Sequence, residues 1–166
     1  FPARKWQSGQ GSDLYRRGLY TFHCRSFTHP AMLAFDAPSR EECAAERPRS
    51  NIPQQALVLL NDPVFVEAAR AFAEKILKSD RKRDEDKISF AFDNALTRKP
   101  SNEEVQVILD LLNNQRDRYK EDEKAAVELL KTGMKAYDAS IEISELAAWT
   151  SISRAILNMY ETTARL

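Results

Sequence analysis

The sequence predicts an all-α fold: one compact bundle of about six to eight helices behind an irregular N-terminal arm. Three observations predict it. Apolar residues recur at three- and four-residue spacing over most of 53–166. Helix-start signals stand directly before these runs, namely Asp62-Pro63 and Ser101 followed by Glu104. Only four glycines occur in 166 residues, too few for a turn-rich sandwich.

Each segment is justified in turn. Residues 1–12 hold Gly9 and Gly11 and little periodicity, so they read as an extended arm whose Trp6 is able to dock. Residues 13–52 form a polar, loop-rich segment. Within it, 13–27 supports two readings. Tyr15, Leu19 and Phe22 fit one helical face behind Asp13 as N-cap, whereas Tyr20, Phe22 and Cys24 alternate as in a strand. Helix is the better reading, because nothing else in the chain offers a sheet partner. Residues 53–166 are the helical body. Pro53 suits a first turn, with Ser50 or Asn51 as cap. The following "QQALVLL" is apolar almost all round, which predicts a central helix. Asp62-Pro63 opens a helix over 63–78, striped by Phe65, Ala68, Ala69, Phe72 and Ile76.

The run 78–87 has five basic and four acidic residues and no apolar one, and reads as a solvated connection. Ile88, Ala91, Phe92, Ala95 and Leu96 line the next helix, which Lys99-Pro100 ends. Ser101 and Glu104 make a capping box for a long helix striped by Val105, Ile108, Leu109, Leu112 and Tyr119. Ala125, Ala126, Leu129 and Leu130 mark another helix, stopped by Gly133. Residues 134–143 form a loop. Ser144 caps a final helix striped by Leu146, Trp149, Ile152, Ser153, Ile156 and Tyr160. No internal repeat divides the chain, so 1–166 is expected to be a single domain.

Charge and motifs narrow the function classes. Twenty-five basic residues balance 25 acidic ones, which argues against nucleic acid as the main partner. Residues 1–52 carry eight Lys and Arg against five Asp and Glu, too small an excess to change that. No stretch reaches the roughly 18–20 apolar residues of a membrane span. The chain begins Phe1-Pro2 with no signal peptide, and is expected to be a piece of a longer protein. Cys-x-x-Cys-His, glycine-rich phosphate loops and Gly-x-Ser-x-Gly elbows do not occur.

The residues able to carry chemistry crowd into the first third. The candidate cluster is Arg16, Arg17, His23, Asp36, Arg40, Cys43, Arg47, Arg49 and Asn51. His23, Cys24, His29 and Cys43 are zinc-type ligands, but His23 and Cys24 are adjacent and no Cys-x-x-Cys or His-x-x-x-His pair accompanies them, so no metal is expected. Cys43 lies among Arg40, Arg47 and Arg49, which favour a thiolate, without a placed histidine as base. Asp36, Glu41, Glu42 and Glu46 are the right groups for acid–base work on a sugar, but caps and ion pairs are the better reading of them. Trp6, Trp149 and the tyrosines suit a carbohydrate platform, although Trp149 at helical spacing reads as core.

The stretch 35–65 is best read as a structural knot. Asp36 precedes Pro38 and a Ser39–Glu42 capping-box pattern. Arg40, Arg47 and Arg49 lie within reach of acids on the same connection. Pro38, Pro48 and Pro53 stiffen it. Coupling between Asp36 and Arg40 is the expected mark of such a knot.

Three blocks, "DLYRRGLYTF", "MLAFDAPSREEC" and "RPRSNIPQQALVLLNDPVFVEAAR", resemble the C-terminal domain of unknown function found in large planctomycete proteins. "TRKPSNEEV" and "ELAAWTSISRAILNMYE" resemble that family's middle and final helix. The family pattern has Trp-Lys where this chain has His23-Cys24, threonine where Ser50 stands, and Pro-Leu-Gln at 53–55. Hence His23 and Cys24 are not expected to be a shared catalytic pair. Of the two cysteines only Cys43 falls at a family position, so no Cys24–Cys43 bridge is expected. The resemblance implies an extracytoplasmic module of a multidomain protein, linked to redox or polysaccharide handling, with haem elsewhere in the full-length chain and none here. It transfers no catalytic residue. The leading expectation is a noncatalytic module that docks on neighbouring domains of its own chain. The alternatives are an enzyme half-site completed by a companion domain, and a carbohydrate-binding module that takes a polysaccharide on exposed aromatics.

Overall fold

A computed structural model describes residues 9–22, 28–38, 43–46, 48 and 50–163. Trp6, His23, Cys24, Arg40, Arg47, Arg49 and the Ser39–Glu42 pattern lie outside the described residues. Among the described residues all regular structure is helical. The chain divides into two compact units, residues 1–58 and 59–166.

In the first unit, the segment read as a helix from Asp13 is instead two single 3-10 turns, Gly11–Tyr15 and Gly18–Tyr20. Asp13 does not cap. It lies inside the first turn, and its Oδ1 pairs with Arg16 Nε at 3.1 Å. Two physical reasons account for the difference. Gly18 interrupts the run, and glycine is a poor helix residue. The apolar face of Tyr15, Leu19 and Phe22 is exposed, so no burial stabilises a short helix. Helix α1 follows at Pro30–Ala34, with His29 as N-cap: its Nδ1 accepts a hydrogen bond from the Ala31 N–H at 3.1 Å.

Helix α2, Pro53–Asn61, starts at the proline the sequence marks. It is not central. None of its residues is fully buried, and Leu57 is exposed. Nine residues with glutamines in the first turn and asparagine at the end cannot bury every side.

In the second unit, α3 covers Pro63–Leu77, α4 Asp84–Leu96, α5 Asn102–Glu121, α6 Glu123–Leu130, α7 Ile143–Leu157 and α8 Tyr160–Thr163. Asp62 caps α3 as expected, its Oδ1 accepting from Val64 N–H at 2.9 Å. The Ser101–Glu104 capping box is present in both directions. Helix α4 ends with Thr97 in the left-handed region at φ 58°, three residues before Pro100. The cap of α7 is Glu142 rather than Ser144: its carboxylate accepts from the backbone N–H groups of Ser144 and Glu145. A carboxylate reaches both amides at once, and the Ser144 hydroxyl itself donates to it.

The central helix is α7, which lies against α3, α4, α5 and α6. It is apolar or small nearly all round, with Leu146, Ala147, Ala148, Trp149, Ile152 and Ile156 buried. Thr150 is buried too, and its hydroxyl donates to the Leu146 carbonyl at 2.7 Å. Tyr160 falls beyond α7 and is exposed. Ile76, Ile88, Phe92, Leu112 and Leu130 complete the core. The buried face of α3 is turned from the one expected. Ala69 and Ile76 are buried with Val66, Ala73, Glu67 and Arg70, while Ala68 is exposed.

Candidate functional site

Of the predicted cluster, Arg16, Arg17, Asp36, Cys43 and Asn51 fall among the described residues. Arg16 pairs locally with Asp13, and the Arg17 guanidinium stands 5.9 Å from the centre of the Tyr20 ring. Cys43 and Asn51 are exposed. Asp36 is the one that organises its surroundings. Its backbone is left-handed at φ 56°, a conformation that aspartate tolerates better than most residues. Its Oδ2 accepts from the Ser50 N–H at 2.8 Å, and both carboxylate oxygens accept from the Ser50 hydroxyl at 2.9 and 2.8 Å. Gln55, in the first turn of α2, donates its Nε2 to the Ser50 carbonyl at 3.1 Å. The clasp therefore runs Asp36–Ser50–Gln55 and ties α1 to the start of α2. Ser50 is one of the two residues expected to cap α2. Its hydroxyl is directed to Asp36 instead.

This geometry gives a double-mutant expectation. Asp36→Ala and Ser50→Ala should each cost the first unit about 1 kcal/mol, because a charge-assisted set is lost at an exposed site. The double variant should cost little more than either alone. Urea unfolding of the four proteins reads the coupling, and strictly additive losses would rule the clasp out.

The second unit holds three ionic clusters that the sequence reading missed. The first is a column on α3 at Glu67, Arg70, Glu74 and Lys78, whose spacing sets them along one face. Arg70 is 2% exposed and Glu67 5%. Arg70 donates from Nη1 to the carbonyls of Leu130 and Thr132, and from Nη2 to that of Lys135. Glu67 Oε2 accepts from the N–H groups of Met134 and Lys135, at 2.6 and 3.3 Å. Glu74 Oε1 accepts from Asp138 N–H at 3.1 Å, and Lys78 pairs with the Asp138 carboxylate. That contact, ahead of the hydrogen bonds from Ser140, pulls the Asp138 carboxyl well below the usual carboxylate range. The column thus reads the backbone of 130–138. A signal was available: a Glu and an Arg three apart among Val66, Ala69 and Ala73.

The second cluster joins α4, α5 and α7. The Arg116 guanidinium binds Asp84 at 2.7 and 3.2 Å and Glu145 at 2.7 and 2.6 Å, two-pronged on both sides. Arg116 holds the Asp84 carboxyl below its ordinary value, and Glu145 leads in raising the Arg116 value. Glu145 Oε1 also accepts the Trp149 indole N–H at 2.9 Å. Lys87 Nζ lies 3.6 Å from Asp84 and 5.7 Å from the Trp149 ring centre. So the charged run 78–87 is not wholly a solvated connection. Its last residues form the first turn of α4, and Asp84 and Lys87 hold the core edge. Trp149 itself is fully buried and offers no sugar platform.

The third cluster ties α8 down. Arg98 binds Glu104 at 2.9 and 2.7 Å and Glu161 at 2.7 Å. The Arg98 contact, then the Ser101 N–H, lower the Glu104 carboxyl to about 2. Among the described residues, no group of three or more His, Cys, Asp or Glu side chains is arranged to hold a metal ion. Among the described residues no helix is long and apolar enough to cross a membrane.

Fold and clusters together define an all-α protein whose polar side chains clasp its own backbone. Residues 1–112 match the PSD1 family, described as proteins of unknown function (DUF1553), and the chain belongs to that family. The match takes in the Asp36–Ser50–Gln55 clasp and the α3 column. It ends within α5, so the 130–138 backbone that the column reads lies outside it. No curated protein and no solved structure matches the chain.

Proposed function

We propose that this chain is a noncatalytic helical docking module of an extracytoplasmic multidomain protein, seated through residues 11–22 and Leu33 on a neighbouring domain of the same protein. One observation carries the reading. Five large apolar side chains in that short stretch are exposed: Tyr15 58%, Leu19 70%, Tyr20 61%, Phe22 70% and Leu33 65%. Concentrated exposure of this kind marks an interaction surface, whereas scattered single residues do not. The fixed carboxylate of Asp36 fits the same view, because its bonds go to the Ser50 backbone and hydroxyl. The extracytoplasmic setting rests on the family resemblance, as do haem segments elsewhere in the protein and a polysaccharide as eventual substrate.

Hydrogen exchange of the full-length protein against this 166-residue chain tests the docking. Amides around Tyr15–Phe22 and Leu33 should be protected in the full-length protein. Leu19→Asp with Phe22→Asp should remove that protection while leaving 59–166 unchanged. Equal exchange in both proteins would sink the reading. An alkaline phosphatase fusion to the full-length protein, active only outside the cytoplasm, tests the location separately.

A further inference from the structure

We propose that residues 131–136 are a pre-set presentation loop, and that their partner is an acidic peptide segment with an apolar anchor. The proposal does not rest on the docking reading above. The argument begins with what fixes the loop. Among the described residues two charged side chains are more than nine-tenths buried, Glu67 and Arg70, and both bond to the backbone of 130–135. Gly133 adopts φ 100°, and a Cβ there would collide with the Glu67 side chain. Backbone held this way loses little freedom when a partner binds, which is the main gain of pre-organisation.

Next comes what the loop presents. Lys131, Lys135 and Ala136 are exposed, and Met134 is 61% exposed at the turn. Its neighbours Tyr137 and Ile141 are partly buried and pack on the core. Methionine is an adaptable apolar contact for a partner pocket. The loop itself, 131–136, is basic, with Lys131 and Lys135 and no acid. Between Leu129 and Ile141 the only acid is Asp138, which Lys78 engages. Glu67 and Glu74 are taken up by backbone N–H groups, and Glu128 stands on α6 before the loop. Two lysines flanking a methionine on a fixed turn fit carboxylates flanking an apolar side chain.

The probe is a library of random peptides selected on the complete 166-residue chain. Enriched peptides should carry several Asp or Glu around one apolar residue, and their binding should weaken with added salt. Lys131→Glu with Lys135→Glu should weaken them at least about tenfold, since like charges then face each other. Met134→Ser should weaken them as well. A linear peptide copying residues 129–138 should bind the same sequences at least about tenfold more weakly than the folded chain, because it must be ordered first. Both lysines and Met134 are exposed, so these variants keep the fold. No enrichment, enrichment without acidic bias, unchanged binding by the charge-reversed variant, or equal binding by the linear copy would each overturn the proposal.

Discussion

Arg70→Ala is expected to destabilise the second unit by about 3–5 kcal/mol, the usual effect of breaking a buried charged network. Arg70 is 2% exposed, and its guanidinium supplies donors to three carbonyls, those of Leu130, Thr132 and Lys135. Alanine leaves those acceptors without their partner. It also removes the guanidinium whose Nε lies 3.9 Å from Glu74 Oε1. Arg70→Lys should recover only part of the loss. One ammonium cannot span carbonyls that two ends of a planar guanidinium reach. Urea unfolding followed by circular dichroism measures the energy. Hydrogen exchange at Met134, Lys135 and Asp138 reads the loop, which should open together. A loss below about 1 kcal/mol, the worth of an ordinary hydrogen bond, would show that the column does not hold the loop.

Trp149→Ala should cost a similar amount, about 3–5 kcal/mol, through a different mechanism. Trp149 is the largest fully buried side chain among the described residues and sits in the middle of α7. Alanine opens a cavity where α7 meets its neighbours, and the close-packed surroundings relax only in part. It also takes the indole N–H from Glu145 and the ring from beneath Lys87. Trp149→Phe separates the effects. It keeps most of the ring volume and loses the N–H, and Glu145 still has Arg116. Its cost should be about 1–2 kcal/mol. Thermal and urea unfolding of both variants decide the matter. Equal losses would mean the hydrogen bond, rather than the packing, is the larger contribution.

The helices from α3 onward were legible because their start signals and spacings are local. Asp62-Pro63 and the Ser101–Glu104 box place their helices wherever the chain goes, since the cap bonds close within three residues. The knot at Asp36 was legible in kind. Its carboxylate does bind backbone N–H, but at Ser50, fourteen residues away, while Arg40 lies outside the described residues. Residues 13–22 misled because their apolar spacing is helical and a helix that short needs a surface to cover it.

By itself the sequence determined the all-α class, the caps of α3 and α5 and most of the core of α4, α5 and α7. These depend on contacts between residues three or four apart. Only the tertiary structure decided that α7, not α2, is the centre, and that Glu67, Arg70, Asp84 and Glu145 are structural. Those roles join residues from about 30 to 68 positions apart. A charge on a helix looks solvated in sequence. It becomes a clasp only when folding brings a distant backbone or guanidinium to meet it.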